Sequence, residues 1–259
     1  ITLQTNALLL DREKIGFLKD QNVVVEPGID GDRVTNARHR RGIREDRFRT
    51  LVRNLTLLVR NRVRMNPTMT VHPDEAARMR DNFAWLESLG LETIDVHPAF
   101  LAPWDEASAA LFEAAYAEIL AREVRSRRHL VCKSYSSFVS RSMDLVVQPQ
   151  GEILPNWTYL MFPRAVRTRF GIMRAGAKAL TVEAGASAAY VRDAVRFFEK
   201  PRTYREFSNF NARRILKEDN NPRTMAAFRV YEALCARVQR LDQKCLRQAD
   251  MLDLPVRNF

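Results

Sequence analysis

Parallel strands wrapped by helices, followed by a hairpin and a helical tail, are what this sequence predicts. Three observations carry that α/β fold class. Between residues 1 and 98, strand-like and helix-like stretches alternate about four times. Val23-Val24-Val25 is a β-branched run suited to a strand buried on both faces. From Ala188 to Phe259 the pattern is helical. The first half therefore reads as an open sheet or part of a (β/α) barrel.

The elements follow in order. A strand ends near Thr5, a helix covers residues 11–19, and a second strand covers residues 22–26 before an Arg-rich loop. A helix over residues 45–59 places Phe48, Leu51, Val52, Leu55, Leu58 and Val59 at helical spacing, which leaves the arginines between them on the solvated face. The third strand covers residues 63–71. His72-Pro73-Asp74-Glu75 starts a helix, with Pro and two acids in its first turn. That helix carries Ala76, Met79, Phe83 and Leu86 on one side and stops at Gly90, a C-terminal cap. A strand over residues 93–97 ends the run, and the Ala-rich stretch 107–120 forms a surface or packing helix. Residues 144–148 and 152–156 form two apolar strands joined by a Pro-Gln-Gly turn, a hairpin. In the tail, Met225, Phe228, Tyr231, Leu234, Cys235, Val238 and Leu241 share one apolar face.

Composition narrows the function. The 259 residues, 46% of them hydrophobic, suffice for one large domain or one and a half ordinary ones. No apolar run reaches the roughly 18–20 residues of a membrane-spanning helix, so a cytoplasmic site is the default expectation. Cys132, Cys235 and Cys245 lie far apart, and His39, His72, His97 and His129 are scattered, so no sequence-local metal site forms. The net charge of +11 invites a nucleic-acid partner. Eleven arginines lie from Arg33 to Arg64, against only Glu45 and Asp46. Their helical spacing and the lack of a nucleic-acid-binding signature argue against that partner.

Several short phrases resemble the radical S-adenosylmethionine (SAM) enzymes, especially the sulfatase- and peptide-maturing members. Thr5-Asn6-Ala7 stands where that family has Thr-Asn-Gly at the end of its third barrel strand. Gly28-Ile29-Asp30-Gly31 stands where it has Ser-Ile-Asp-Gly at the end of the fourth. Arg40-Arg41-Gly42 before Phe48 is similar to an Arg-Gly-x-Gly-(Ser/Thr)-Phe segment. Val63-Arg64-Met65-Asn66-Pro67-Thr68 is similar to the fifth strand, and Leu89 to Pro98 to the sixth. The hairpin resembles the auxiliary-cluster hairpin of some relatives, with Asn156 where they have a cluster-ligating Cys. An amide cannot replace a thiolate on iron, so the hairpin is expected without its cluster. Arg169-Phe170-Gly171-Ile172 is similar to the segment that follows it.

The resemblance implies a radical SAM partial barrel lacking its front part in residues 1–104, and a hairpin-containing, mainly helical extension in residues 105–259. Opening on Ile1, the chain is expected to be a fragment or a reduced relative. In the family a 4Fe-4S cluster held by Cys-x3-Cys-x2-Cys cleaves SAM to a radical that abstracts a substrate hydrogen. Both cofactors are expected in the full-length protein, and no cluster loop stands in this chain. The implied SAM contacts are Asn6, Gly28, Arg41, Asn66 and His97; catalytic residues stay unassigned. The implied activity is radical modification of a peptide, protein side chain or small metabolite. Two alternatives stand beside it: a non-catalytic scaffold that binds a peptide or partner, and a basic nucleic-acid binder.

Overall fold

The computed structural model describes residues 2–40, 42–100, 102–126, 146–147, 152–154, 180–181 and 222–251. The chain forms two compact units, one from residues 1–135 and 226–259, the other from residues 136–225.

In the first unit four strands run parallel in sequence order. β1 (Thr2–Thr5) pairs with β2 (Val24–Pro27), and β3 (Thr68–Val71) pairs with β4 (Asp95–Pro98). Parallel bridges Val25↔Met65 and Gly28↔Thr68 join β2 to β3. The expected third strand is thus shorter than residues 63–71, entering the ladder by a single bridge at Met65. The valine run differs from expectation too. Val25 is fully buried, while Val24 and Glu26 on the other face are only half-buried. One side of the sheet is apolar and the other polar.

Helices pack on the apolar side. α1 (Arg12–Asp20) starts where the Asp11 carboxylate accepts the Lys14 amide, satisfying one of the orphan N–H groups of the first turn, and it buries Ile15 and Leu18. α3 (Glu45–Arg60) buries Phe48, Leu51, Leu55 and Leu58 and leaves Arg47, Arg49, Arg53 and Arg60 exposed. The expected Arg-rich loop instead contains a helix, α2 (Arg33–His39), capped by Asp32 on the Thr35 amide. Its seven residues lack an apolar stripe, because its inward side chains are Thr35 and Asn36. Pro73–Arg78 forms a 3-10 turn that continues into α4 (Met79–Ser88). Gly90, at φ +84, follows α4 in the left-handed region that glycine favours.

α5 (Glu106–Arg125) opens with a reciprocal Asp105–Ser108 capping box. It packs beside α6 (Pro222–Met251), where Phe228, Tyr231, Leu234, Val238 and Cys245 are buried and Cys235 is half-buried. Tyr116 donates to the Asp242 carboxylate at 2.7 Å, and Arg237 meets Glu113 at 2.8 Å. Burial pushes the Cys235 thiol up to about 11, as suits a packed cysteine. Among the described residues no helix is long and apolar enough to cross a membrane.

In the second unit β5 (Val146–Val147), β6 (Glu152–Leu154) and β7 (Leu180–Thr181) form an antiparallel sheet. β5 and β6 form the antiparallel pair expected of the hairpin, Val146 facing Leu154. Asn156, Cys132, His129 and residues 169–172 lie outside the described residues.

Candidate cofactor-binding face

The strand registers place a set of polar side chains on one face of the parallel sheet. Paired residues in a parallel ladder point to the same side and alternate along each strand. Gln4 and Glu26 are therefore neighbours, and Asn66 lies beyond them. Gln4 Nε2 donates to Glu26 Oε2 at 3.3 Å, and Asn66 Nδ2 donates to Glu26 Oε1 at 3.4 Å. The next row holds Gly28, Thr68 and Asp95, and the row after it Thr70 and His97. His97 Nε2 lies 3.0 Å from the buried Asp95 carboxylate. A parallel sheet sandwiched between helices is normally apolar on both faces. This alternation suits a sheet whose second face binds a polar ligand.

Beyond the C-terminal ends of β2 and β3 a charged cluster is built around Asp30. Its buried carboxylate accepts Arg40 Nε at 2.7 Å and Nη2 at 2.6 Å, a two-pronged charge-assisted pair. It also accepts the Thr70 amide at 3.0 Å, tying the loop to β3. The Arg40 guanidinium lies against Gly28, where a Cβ would meet Nη1 at 2.5 Å. Buried Asn36 braces the same loop, its Oδ1 accepting the Asp30 amide and its Nδ2 donating to Gly31 O. Gly31, at φ +146, is packed against Asn82, whose side chain a Cβ would strike. Burial opposes the charge on Asp32, but hydrogen bonds from Thr35 and the Arg78 guanidinium hold its carboxyl below the usual range.

His39, Asp74 and Glu75 bring ligand-type atoms within 4.8 Å of one another. A cation already serves these carboxylates. Arg38 Nη1 lies 2.5 Å from Glu75 Oε1 and 3.6 Å from Asp74 Oδ2, and Arg78 reaches Glu75 Oε2 at 3.4 Å. His39 stacks on His72 at 3.8 Å between ring centroids, the ring planes 6° from parallel.

The sequence-derived site residues are distributed as follows. Asn66 and His97 share the polar face with Gly28. Asn6 follows β1; its Oδ1 accepts the Leu8 amide at 3.2 Å, a turn of its own, and its side chain is exposed. Arg41 lies outside the described residues. The inward guanidinium found here is that of its neighbour Arg40. Glu26, Asp30, Arg40 and Asp95 were missed from the sequence. A signal did exist for three of them, since Glu26, Asp30 and Asp95 fall in step with Gly28 and His97 at the strand period of two.

No family model and no curated protein matches this sequence. The fold itself is radical-SAM-like. It is similar to structures of an anaerobic sulfatase-maturating enzyme, anSMEcpe. The hexahistidine-tagged form with bound AdoMet superposes with a TM-score of 0.54 at 14% identity, covering 76% of this chain and 58% of that one. The native forms with AdoMet and the Cp18Cys or Kp18Cys peptide give 0.53 and 0.54, at the same identity and coverage. This chain thus spans less than two thirds of the neighbour's length. At this identity the likeness is one of fold.

Proposed function

We propose that this chain is part of a radical SAM-type enzyme, with β1–β4 as a segment of a partial barrel, acting on a peptide, protein side chain or small metabolite. The observation that carries this reading is the polar face of a parallel sheet, in a fold similar to one that binds AdoMet. The peptides in two of the neighbours favour a peptide substrate. Parallel sheets present ligands at the C-terminal ends of their strands, where Gly28 and His97 lie, with Asn66 deeper on the same face.

The donor set fits SAM. Asn66, 1% exposed, keeps Oδ1 without a hydrogen-bond partner among the described residues, an acceptor that a ligand would satisfy. Asn66, Gly28 and His97 would hold SAM, with Asn6 at the end of β1; Arg41, a contact that the resemblance implies, lies outside the described residues. The Asp30–Arg40 pair fixes the loop after β2. The residues do not fit a 4Fe-4S cluster: Cys235 and Cys245 lie on α6, and Cys132 is remote in sequence. Cluster ligands would come from sequence outside this chain. SAM with such a cluster would supply one-electron cleavage and hydrogen-atom abstraction.

The test is full-length protein purified without oxygen. Brown colour, iron, and reductant-dependent release of 5′-deoxyadenosine are expected. Iron-free protein that still binds a peptide would replace this reading with the non-catalytic scaffold, which the cysteine-poor sequence favours. The exposed Arg44, Arg47, Arg53, Arg60 and Arg62, with no carboxylate partner among the described residues, are what favours a nucleic-acid binder. Steeply salt-dependent RNA binding would support it.

A further inference from the structure

Away from the polar face of the sheet, the fold brings one imidazole and two carboxylates together from separate segments. His39 is the last residue of α2, and Asp74 and Glu75 open the 3-10 turn that follows β3. One ligand-type atom from each lies within 4.8 Å of the other two. His39 Nε2 is shielded from solvent and 3.2 Å from Asp74 Oδ1, yet it makes no hydrogen bond among the described residues. A ring nitrogen held so close to a carboxylate without bonding it calls for a partner between them. The stack on His72 holds the ring in place. Bonds of about 2.0–2.2 Å to a tetrahedral ion set its ligand atoms roughly 3.3–3.6 Å apart, so the His39–Asp74 edge is nearly at that spacing and a shift of about 1 Å brings in Glu75. Glu75 Oε2 is held by the Thr35 hydroxyl at 3.1 Å and by Arg78 at 3.4 Å, which leaves Oε1 as the ligand oxygen. That oxygen faces Arg38. Arg38 and Asp74 are 50% and 52% exposed, so an ion reaches the cluster from solvent past exposed side chains, and the solvated guanidinium is displaced at little cost.

We propose that His39, Asp74 and Glu75 form a site for a divalent first-row transition ion, best matched by Zn2+, and that Arg38 is the counter-ion the metal displaces. One nitrogen with two carboxylate oxygens suits Zn2+ and disfavours Mg2+, which takes oxygen ligands in near-octahedral geometry. Three protein ligands leave a fourth position for water or a ligand oxygen. The ion joins the end of α2 to the exit of β3, clamping two connections on the C-terminal side of the parallel strands. The site is independent of SAM binding. Neither segment carries a metal motif by itself, which is why histidines scattered along the sequence give no sign of it.

The experiment titrates Zn2+ and Mg2+ into the full-length protein by calorimetry after EDTA has removed loosely bound metal, with melting temperatures taken before any metal is added. Wild type should bind one Zn2+ equivalent for which Mg2+ does not compete. His39→Gln and Asp74→Asn should each weaken that equivalent at least tenfold. Arg38→Gln removes the competing guanidinium and should tighten it severalfold. Unchanged Zn2+ affinity in His39→Gln, or Mg2+ bound as strongly as Zn2+, overturns the proposal and leaves the cluster an ordinary ion-pair network. Zn2+ taken up equally by all four proteins belongs elsewhere in the chain and overturns it as well. Should His39→Gln melt lower than wild type, Arg38→Gln decides, and Zn2+ affinity in that variant no higher than in wild type refutes the site.

Discussion

Asp30 is the residue on which the loop after β2 depends. Its carboxylate is 3% exposed, and its charge is answered by Arg40. Removing one partner of a buried pair leaves an uncompensated charge, which costs far more than the pair itself contributes. Arg40→Ala should therefore cost about 3–5 kcal/mol, read from urea unfolding midpoints. Arg40→Lys should recover little, since one ammonium cannot reproduce the two-pronged fork. Gly28→Ala should cost about 1–3 kcal/mol, as the new methyl crowds the guanidinium. An Arg40→Ala protein as stable as wild type would show that Asp30 is served by other groups. The sequence led to Arg41 and missed Arg40 for a definite reason. In a loop either guanidinium could turn inward, and only the helix α2, with its capping Asp32 and its end at His39, aims Arg40 back at Asp30.

Among the elements, those with a strong period were legible and those held by polar contacts were not. α1 and α3 lie within a residue or so of expectation, because Ile15 and Leu18, or Phe48, Leu51, Leu55 and Leu58, mark a core-facing stripe. α2 has no such stripe; Asp32, Thr35 and Asn36 hold it by local hydrogen bonds, and Asn82 on α4 ties Asp32 and Thr35 to a segment distant in sequence. Ala7, placed where the resembled motif has Gly, adopts φ 56, the left-handed backbone that such a glycine would supply. The end of α2 also meets the end of β3 through the His39–His72 stack. Burial, and then the neighbouring His39, hold the His72 imidazole below the usual 6.5. With the folded value depressed, the unfolded chain takes up the proton first as pH falls. This contribution to stability is thus complete above about pH 6.5 and shrinks below it. Melting temperatures of wild type and His72→Gln should converge on acidification from neutral pH; parallel curves would exclude His72 as the titrating group.

At the scale of the whole molecule, the alternation that predicts an α/β fold also predicts the parallel ladder, but it is silent on what α6 packs against. Contacts between residues more than a hundred apart leave no periodic trace. The sequence division at residues 104 and 105 marks a change of character, from alternating elements to a helical and hairpin-bearing stretch. Packing runs across that position. Phe100 sets its ring 6.3 Å from Phe228 and 5.7 Å from Tyr231. Tyr116 and Glu113 on α5 meet Asp242 and Arg237 on α6. A helix that buries Leu234 and Val238 completely should open only together with the elements it covers. Leu234→Ala is therefore expected to cost about 2–5 kcal/mol and to speed hydrogen exchange at the Val25 and Asn66 amides of the sheet as well as within α6. Faster exchange confined to α6, with the sheet amides as protected as before, would show that the helix folds apart from the sheet and that the boundary near residue 104 separates independent domains.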